Sequence, residues 1–301
     1  LGLGAWLVIE GKMTPGGMIA GSILLGKTLS PIELAIGAWK QFLTARTAYS
    51  RLEKLLEENP VREQNMSLPR PTGHLQVEQV VAKVPGSQQV ILQQVSFQAQ
   101  PGEVVGVIGP SASGKSSLAR LLVGVWPSIG GKVRLDGADV YQWNKLELGQ
   151  AVGYLPQDVE LFEGTVAENI CRFGPVDPGK VVTAAKMAGV HDMILKFAKG
   201  YETEIGEGGS HLSGGQRQRI GLARALYGNP TFVVLDEPNS NLDDSGEAAL
   251  VQAVLQLKAM GSTVVLISHR HNILAVVDKL LLLVNGTVQA FGPRDKVLQA
   301  L

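Results

Sequence analysis

Residues 109–116 of this chain read Gly109-Pro110-Ser111-Ala112-Ser113-Gly114-Lys115-Ser116, followed by Ser117. Glycines, lysine and hydroxyl sit at the spacing GxxxxGK[ST], and that combination suits a phosphate. Glycines let backbone N–H groups turn inward around phosphate oxygens where side chains would obstruct them. Lys115 is placed to reach β- and γ-phosphates, and the Ser116 hydroxyl to ligate Mg²⁺. A second candidate lies at Thr231-Phe232-Val233-Val234-Leu235, an apolar run ending in Asp236-Glu237. Carboxylates at the C-terminal end of a buried parallel strand lie where α/β sheets bind ligands. Asp236 is expected to hold Mg²⁺ through water, and Glu237 to act as general base on an attacking water or hold it in place. A third is Leu212-Ser213-Gly214-Gly215-Gln216, small residues opening a helical pattern from Arg217 to Tyr227. A helix N-terminus of this kind is a further anion site.

These groups need strands and helices to hold them. Val104–Ile108 is an apolar strand before the glycine loop, and Leu118–Leu122 begins a helix behind it. Upstream, Leu75–Val84 and Val90–Ala99 alternate as strands around the turn Pro85-Gly86-Ser87. Downstream, apolar strands alternate with helical stretches, the pattern of an α/β domain with parallel strands. Residues 59–73 carry prolines and few apolar side chains and are expected to be a linker. The second domain is expected over 74–301.

The first 58 residues differ in kind. Residues 1–9 are apolar, Glu10–Gly17 is a turn, and Met18–Trp39 is long enough to cross a bilayer despite Lys27, Pro31 and Glu33. Lys40, Arg46, Arg51 and Lys54 follow it, as expected at a cytoplasmic end, and Trp6 and Trp39 flank it. Phe42, Ala45, Tyr49, Leu52 and Leu56 then fall on one helical face, so one helix is expected from Gly17 to Glu58. The opening at Leu1, inside an apolar run, reads as a chain entered partway through a larger protein.

The 301 residues balance 27 lysines and arginines against 27 acidic residues, so no basic field argues for nucleic acid. A single cysteine, Cys171, excludes an internal disulfide and reads as a small core residue.

Taken together, these motifs resemble the nucleotide-binding domain of ATP-binding cassette (ABC) proteins across residues 74–301. The resemblance implies an ABC-type P-loop fold of the α/β class: a RecA-like core, an antiparallel β subdomain and a helical subdomain. Residues 1–58 resemble the end of an exporter's membrane domain, one membrane helix and part of another. Gln157, in Tyr154-Leu155-Pro156-Gln157, matches the Q-loop and is implied to contact Mg²⁺ and the attacking water. Asp243, in Ser240-Asn241-Leu242-Asp243, matches the D-loop, and His269 the switch histidine that contacts γ-phosphate. Thr203–Glu207 resembles a loop that touches the membrane domain. Val84 stands where many relatives stack an aromatic side chain on adenine, which leaves the adenine platform open. ATP and Mg²⁺ are implied between the glycine loop of one subunit and the Ser213-Gly214-Gly215-Gln216 segment of another, so a head-to-tail dimer of identical chains is expected.

Wording such as GPSASGKSSLARLLVGVWPSIGGKVRLDGADV is similar to type I secretion exporters of bacterial proteases and lipases. That implies a bacterial inner membrane location with the ATPase domain in the cytoplasm. It also implies a periplasmic adaptor (membrane fusion protein), an outer-membrane channel and an unfolded polypeptide substrate. A lipid or drug exporter of the same architecture is the alternative; a soluble ABC ATPase acting on DNA or ribosomes fits the apolar N-terminus less well.

Overall fold

The computed structural model describes residues 2–58 and 67–299. They fall into two compact units, one on either side of the undescribed stretch. In the first, α1 (Gly2–Ile9) and α2 (Pro15–Glu58) are joined by a turn in which Glu10, Gly11 and Lys12 donate their N–H groups to the carbonyls of Trp6, Val8 and Leu7. The Thr14 hydroxyl caps α2 by accepting from the Gly17 N–H at 3.1 Å. The helix is continuous through Pro31 and is long and apolar enough to cross a membrane. The hydroxyls of Ser22 and Thr28 donate back to helix carbonyls within it, which hides their polarity from an apolar surround. At roughly 1.5 Å per residue α2 is about 66 Å long, twice a hydrocarbon core.

The second unit is built on two sheets. Its strands are β1 (Leu75–Lys83), β2 (Val90–Ala99), β3 (Val104–Ile108), β4 (Gly130–Leu135), β5 (Ala138–Asp139), β6 (Val152–Leu155), β7 (Phe232–Asp236), β8 (Thr263–Ile267), β9 (Lys279–Val284) and β10 (Thr287–Pro293). One sheet is antiparallel, in the order β2-β1-β4-β5. The other runs β10-β9-β3-β8-β7-β6, with β9, β3, β8, β7 and β6 parallel and β10 antiparallel at the edge. Every residue of β3, β7 and β8 is buried, which is why these strands read as unbroken apolar runs.

Alternate side chains of those strands feed two cores. Val104, Val233, Leu235, Val264 and Leu266 face one. Val105, Val107, Phe232, Val234, Val265 and Ile267 face the other. The helices follow the chain: α3 (Lys115–Leu122), α4 (Lys145–Ala151), α5 (Val166–Ile170), α6 (Pro178–Met187), α7 (His191–Leu195), α8 (Gly214–Leu226), α9 (Asp244–Ala259), α10 (His271–Leu274) and α11 (Arg294–Gln299). The buried side chains of α5, α6, α8 and α9 join the first core, and those of α3 join the second with the antiparallel sheet. Cys171 is buried in the first core.

The expected linker splits. Residues 59–66 lie outside the described residues. Residues 67–73 are bonded to the second unit instead of bridging freely: Thr72, Gly73 and His74 donate N–H groups to the Asp136 carboxylate, and Arg70 donates to the carbonyls of Gly228 and Asn229. The cause is Asp136, a left-handed turn residue at φ 50° whose carboxylate gathers the incoming N–H groups.

Candidate functional site

The glycine loop connects β3 to α3 and can do so only as glycine at its ends. Gly109 has φ 150°, and a Cβ there would lie 1.9 Å from the Leu283 carbonyl oxygen. Gly114 has φ 100°, with Leu92 2.7 Å from where a Cβ would stand. No side chain caps α3, so its first N–H groups point toward the loop unclaimed by a cap. Lys115 is buried, and its Nζ donates to the carbonyls of Gly109 and Pro110 at 2.8 Å each. Burial lowers its pKa, and the nearby Glu237 and Asp236 carboxylates oppose that shift.

A cavity of about 560 Å³ opens over the loop. Ser111, Ala112, Gly114, Lys115, Ser116 and Ser117 line it together with Gln157 and Glu237. Gly109, Pro110 and Ser113 shape the loop without lining the cavity. Gln157, just beyond β6, donates its amide to Glu237 Oε2 at 3.1 Å. His269, just beyond β8, places Nε2 3.9 Å from Glu237 Oε1. Thus the ends of β3, β6, β7 and β8 bring Lys115, Gln157, Glu237 and His269 to one edge of the sheet. Glu237 itself adopts φ 46°, a backbone region that side chains other than glycine seldom occupy. Its N–H donates to the Ile267 carbonyl at 3.0 Å.

Asp236 precedes it and is almost fully buried. Burial raises its pKa, and a hydrogen bond from the Ser116 side chain opposes the rise. Its Oδ1 has no hydrogen-bonding partner among the described residues. An orphaned carboxylate oxygen, a serine hydroxyl and the Gln157 side-chain carbonyl are hard oxygen donors of the kind Mg²⁺ takes. The loop itself, held in shape where Leu283 and Leu92 leave no room for a Cβ on Gly109 or Gly114, turns Ser111, Ala112, Gly114, Lys115 and Ser116 to the cavity, a lining suited to phosphate oxygens. The residues present therefore suit a magnesium nucleotide.

Ser213, Gly214, Gly215, Gln216 and Asp243 do not line this cavity. Ser213 and Gln216 form a reciprocal capping box at the start of α8: Gln216 N–H to Ser213 Oγ at 3.3 Å, and Ser213 N–H to Gln216 Oε1 at 2.8 Å. A Cβ on Gly215 would lie 2.8 Å from the Asn241 carbonyl. Asp243 caps α9 through the Gly246 N–H at 2.9 Å. Val84 does not line the cavity either; Gln89, Val90 and Ile91 at the start of β2 form that wall.

Sequence reasoning missed the turn Asn285-Gly286 between β9 and β10, which also lines the cavity. Gly286 N–H donates to the Ser113 carbonyl at 3.1 Å, and the Gly286 carbonyl accepts from Gln93 N–H at 2.8 Å. A Cβ there would lie 1.9 Å from the Ile91 carbonyl. Asn-Gly is a strong hairpin signal, so the turn was legible, but its position beside the glycine loop was not. Gln218 was missed as well, because nothing local marks a buried glutamine inside a helix.

Comparison with known proteins finds relatives along nearly the whole chain. Residues 92–240 match the family described as ABC transporter. The chain is 52% identical over 299 residues to the type I secretion system ATP-binding protein PrsD of Rhizobium meliloti (strain 1021), covering 99% of this chain and 51% of that protein. It is 35% identical over 301 residues to the leukotoxin translocation ATP-binding protein LktB of Mannheimia haemolytica, of which it covers 42%. A solved structure of a bacterial Atm1-family ABC exporter with ATP bound superposes with a TM-score of 0.79 at 27% identity, over 96% of this chain and 51% of that one. The chain spans about half the length of the relatives it matches.

Proposed function

Residues 92–240 belong to the ABC transporter family, and on that premise we propose that the chain binds Mg-ATP over the glycine loop and hydrolyses it to drive export. The observation that carries this reading is the meeting of Lys115, Gln157 and Glu237 at one cavity, with His269 beside Glu237. Backbone N–H groups of the loop and α3 would hold the phosphates, with Lys115 adding a charge. Ser116, Asp236 and Gln157 would hold Mg²⁺, which when bound supplies neutralisation of phosphate charge. Glu237 takes the proton of the attacking water, and Gln157 and His269 keep its carboxylate aimed.

The segment Ser213–Gln216 and Asp243 stand apart from the cavity of their own chain, which suits a second copy docked head-to-tail and completing each site. ATP would close that pair and hydrolysis reopen it, giving an attached membrane domain two states to follow. The identity to PrsD and LktB supports type I secretion of an unfolded polypeptide from the inner membrane, with a periplasmic adaptor and an outer-membrane channel as partners. The first unit, with α2 able to cross a membrane, supports the same placement.

The test is hydrolysis by the full chain in a lipid bilayer. The expected result is turnover stimulated by the C-terminal segment of a secreted protease or lipase and indifferent to added lipids or drugs. Stimulation by lipids or drugs alone would move the reading to the alternative exporter class.

A further inference from the structure

Gln218 lies one turn into α8 and is 2% exposed, yet it carries a full amide. Its Nε2 donates to the Glu237 main-chain carbonyl at 3.2 Å. Its Oε1 accepts from Ser240 Oγ at 3.1 Å and from Asn241 Nδ2 at 3.0 Å. The orientation of the amide is forced, because a carbonyl only accepts and the atom facing it must be the NH₂. One side chain thus joins three segments: the helix that begins at Ser213-Gly214, the residue bearing the candidate base, and the loop that leads to Asp243.

Glu237 is where this matters. At φ 46° its backbone sits in a region that persists only when its surroundings hold it there. Its N–H is held by the Ile267 carbonyl, and its carbonyl by the Ser240 N–H at 3.2 Å and by Gln218. Removing the amide removes one of the restraints on the direction in which the Glu237 side chain leaves the strand. Beside it, a cavity of about 150 Å³ is lined by Gln157, Gly214, Gln218 and Asn241, so the start of α8 also borders the glutamine that bonds to the Glu237 carboxylate.

We propose that Gln218 is a positioning residue that ties the start of α8 and the Ser240-Asn241 loop to the backbone of Glu237, so that a ligand gripping the helix start in one copy aligns the base of that same copy. The inference rests on the reading of Glu237 as general base.

Gln218→Met tests it in the full chain. Methionine keeps the volume, and Ser240 and Asn241 are exposed, so their freed groups meet water. The expected result is a fall in kcat of about 10- to 100-fold, the scale of a misaimed catalytic group. ATP affinity should stay within about twofold and the melting curve should be retained. An unchanged kcat overturns the inference. So does a parallel loss of kcat and affinity, which marks a purely structural side chain. Should this variant not fold, Gln218→Glu keeps the shape and replaces the donor; it is expected to show the same split, and failure of both to fold counts against the inference. A wild-type chain without hydrolysis would instead strike the ATPase reading beneath it.

Discussion

The role proposed for Glu237 follows from where its backbone puts it. One residue earlier, Asp236 faces inward with an orphaned oxygen; at Glu237 the chain turns left-handed and aims the next carboxylate at Gln157 and His269. Two adjacent acids thus receive different environments, one buried and raised in pKa beside Ser116, the other half-buried at the cavity wall. Lys115 supplies the opposing charge. Lys115→Ala is expected to weaken ATP binding about tenfold or more, the loss of one charge-assisted contact. Direct titration with ATP checks it, and unaltered affinity would remove Lys115 from the site. Contiguous motifs marked Lys115, Ser116, Asp236 and Glu237 in the sequence, and the family resemblance supplied Gln157 and His269. Gln218 was marked by neither, since its partners at positions 237, 240 and 241 become neighbours only when α8 lies against the end of β7.

At the scale of elements, the strands were the most readable parts. β3, β7 and β8 are buried on both faces, so their composition alone betrays them. What the sequence hid was which turns touch the glycine loop. Gly286 braces it through Ser113, and β2 packs a carbonyl where a Gly286 Cβ would stand. Gly286→Ala is therefore expected to destabilise the second unit by about 1–3 kcal/mol from strain and to weaken ATP binding with it. Thermal melting and titration read the two effects, and a wild-type curve would show that the turn yields freely. Asp136 was also invisible as an anchor. Its carboxylate gathers the N–H groups of Thr72, Gly73 and His74, so the stretch that composition marked as linker is partly docked. Burial alone would raise its pKa, but these bonds together with one from the Thr72 hydroxyl lower it. A depressed folded pKa contributes stability above the unfolded value and loses it as pH falls through the folded value. Asp136→Ala is expected to flatten the acid side of the pH–stability curve, and a curve like wild type would deny the anchor. Arg172, half-buried, is a further anchor, donating to the carbonyls of Gly149, Val152, Arg224, Ala225 and Tyr227, with desolvation holding its pKa down to about 10.

At the scale of the whole molecule, an apolar helical unit precedes an α/β unit in a chain about half as long as its relatives. The polar half of α2 carries Lys40, Arg46, Arg51 and Lys54, which suits a helix leaving a bilayer on its cytoplasmic side. Recovery with membranes, released only by detergent, is the expected fractionation; full recovery in buffer would contradict it. The central claim is that Glu237 activates water at a site where this chain holds ATP. Turnover and ATP affinity measured side by side for wild type and Glu237→Gln test it most directly. Hydrolysis is expected to be abolished in the variant, with ATP still bound and a closed pair of chains favoured. Hydrolysis at the wild-type rate in Glu237→Gln would contradict it.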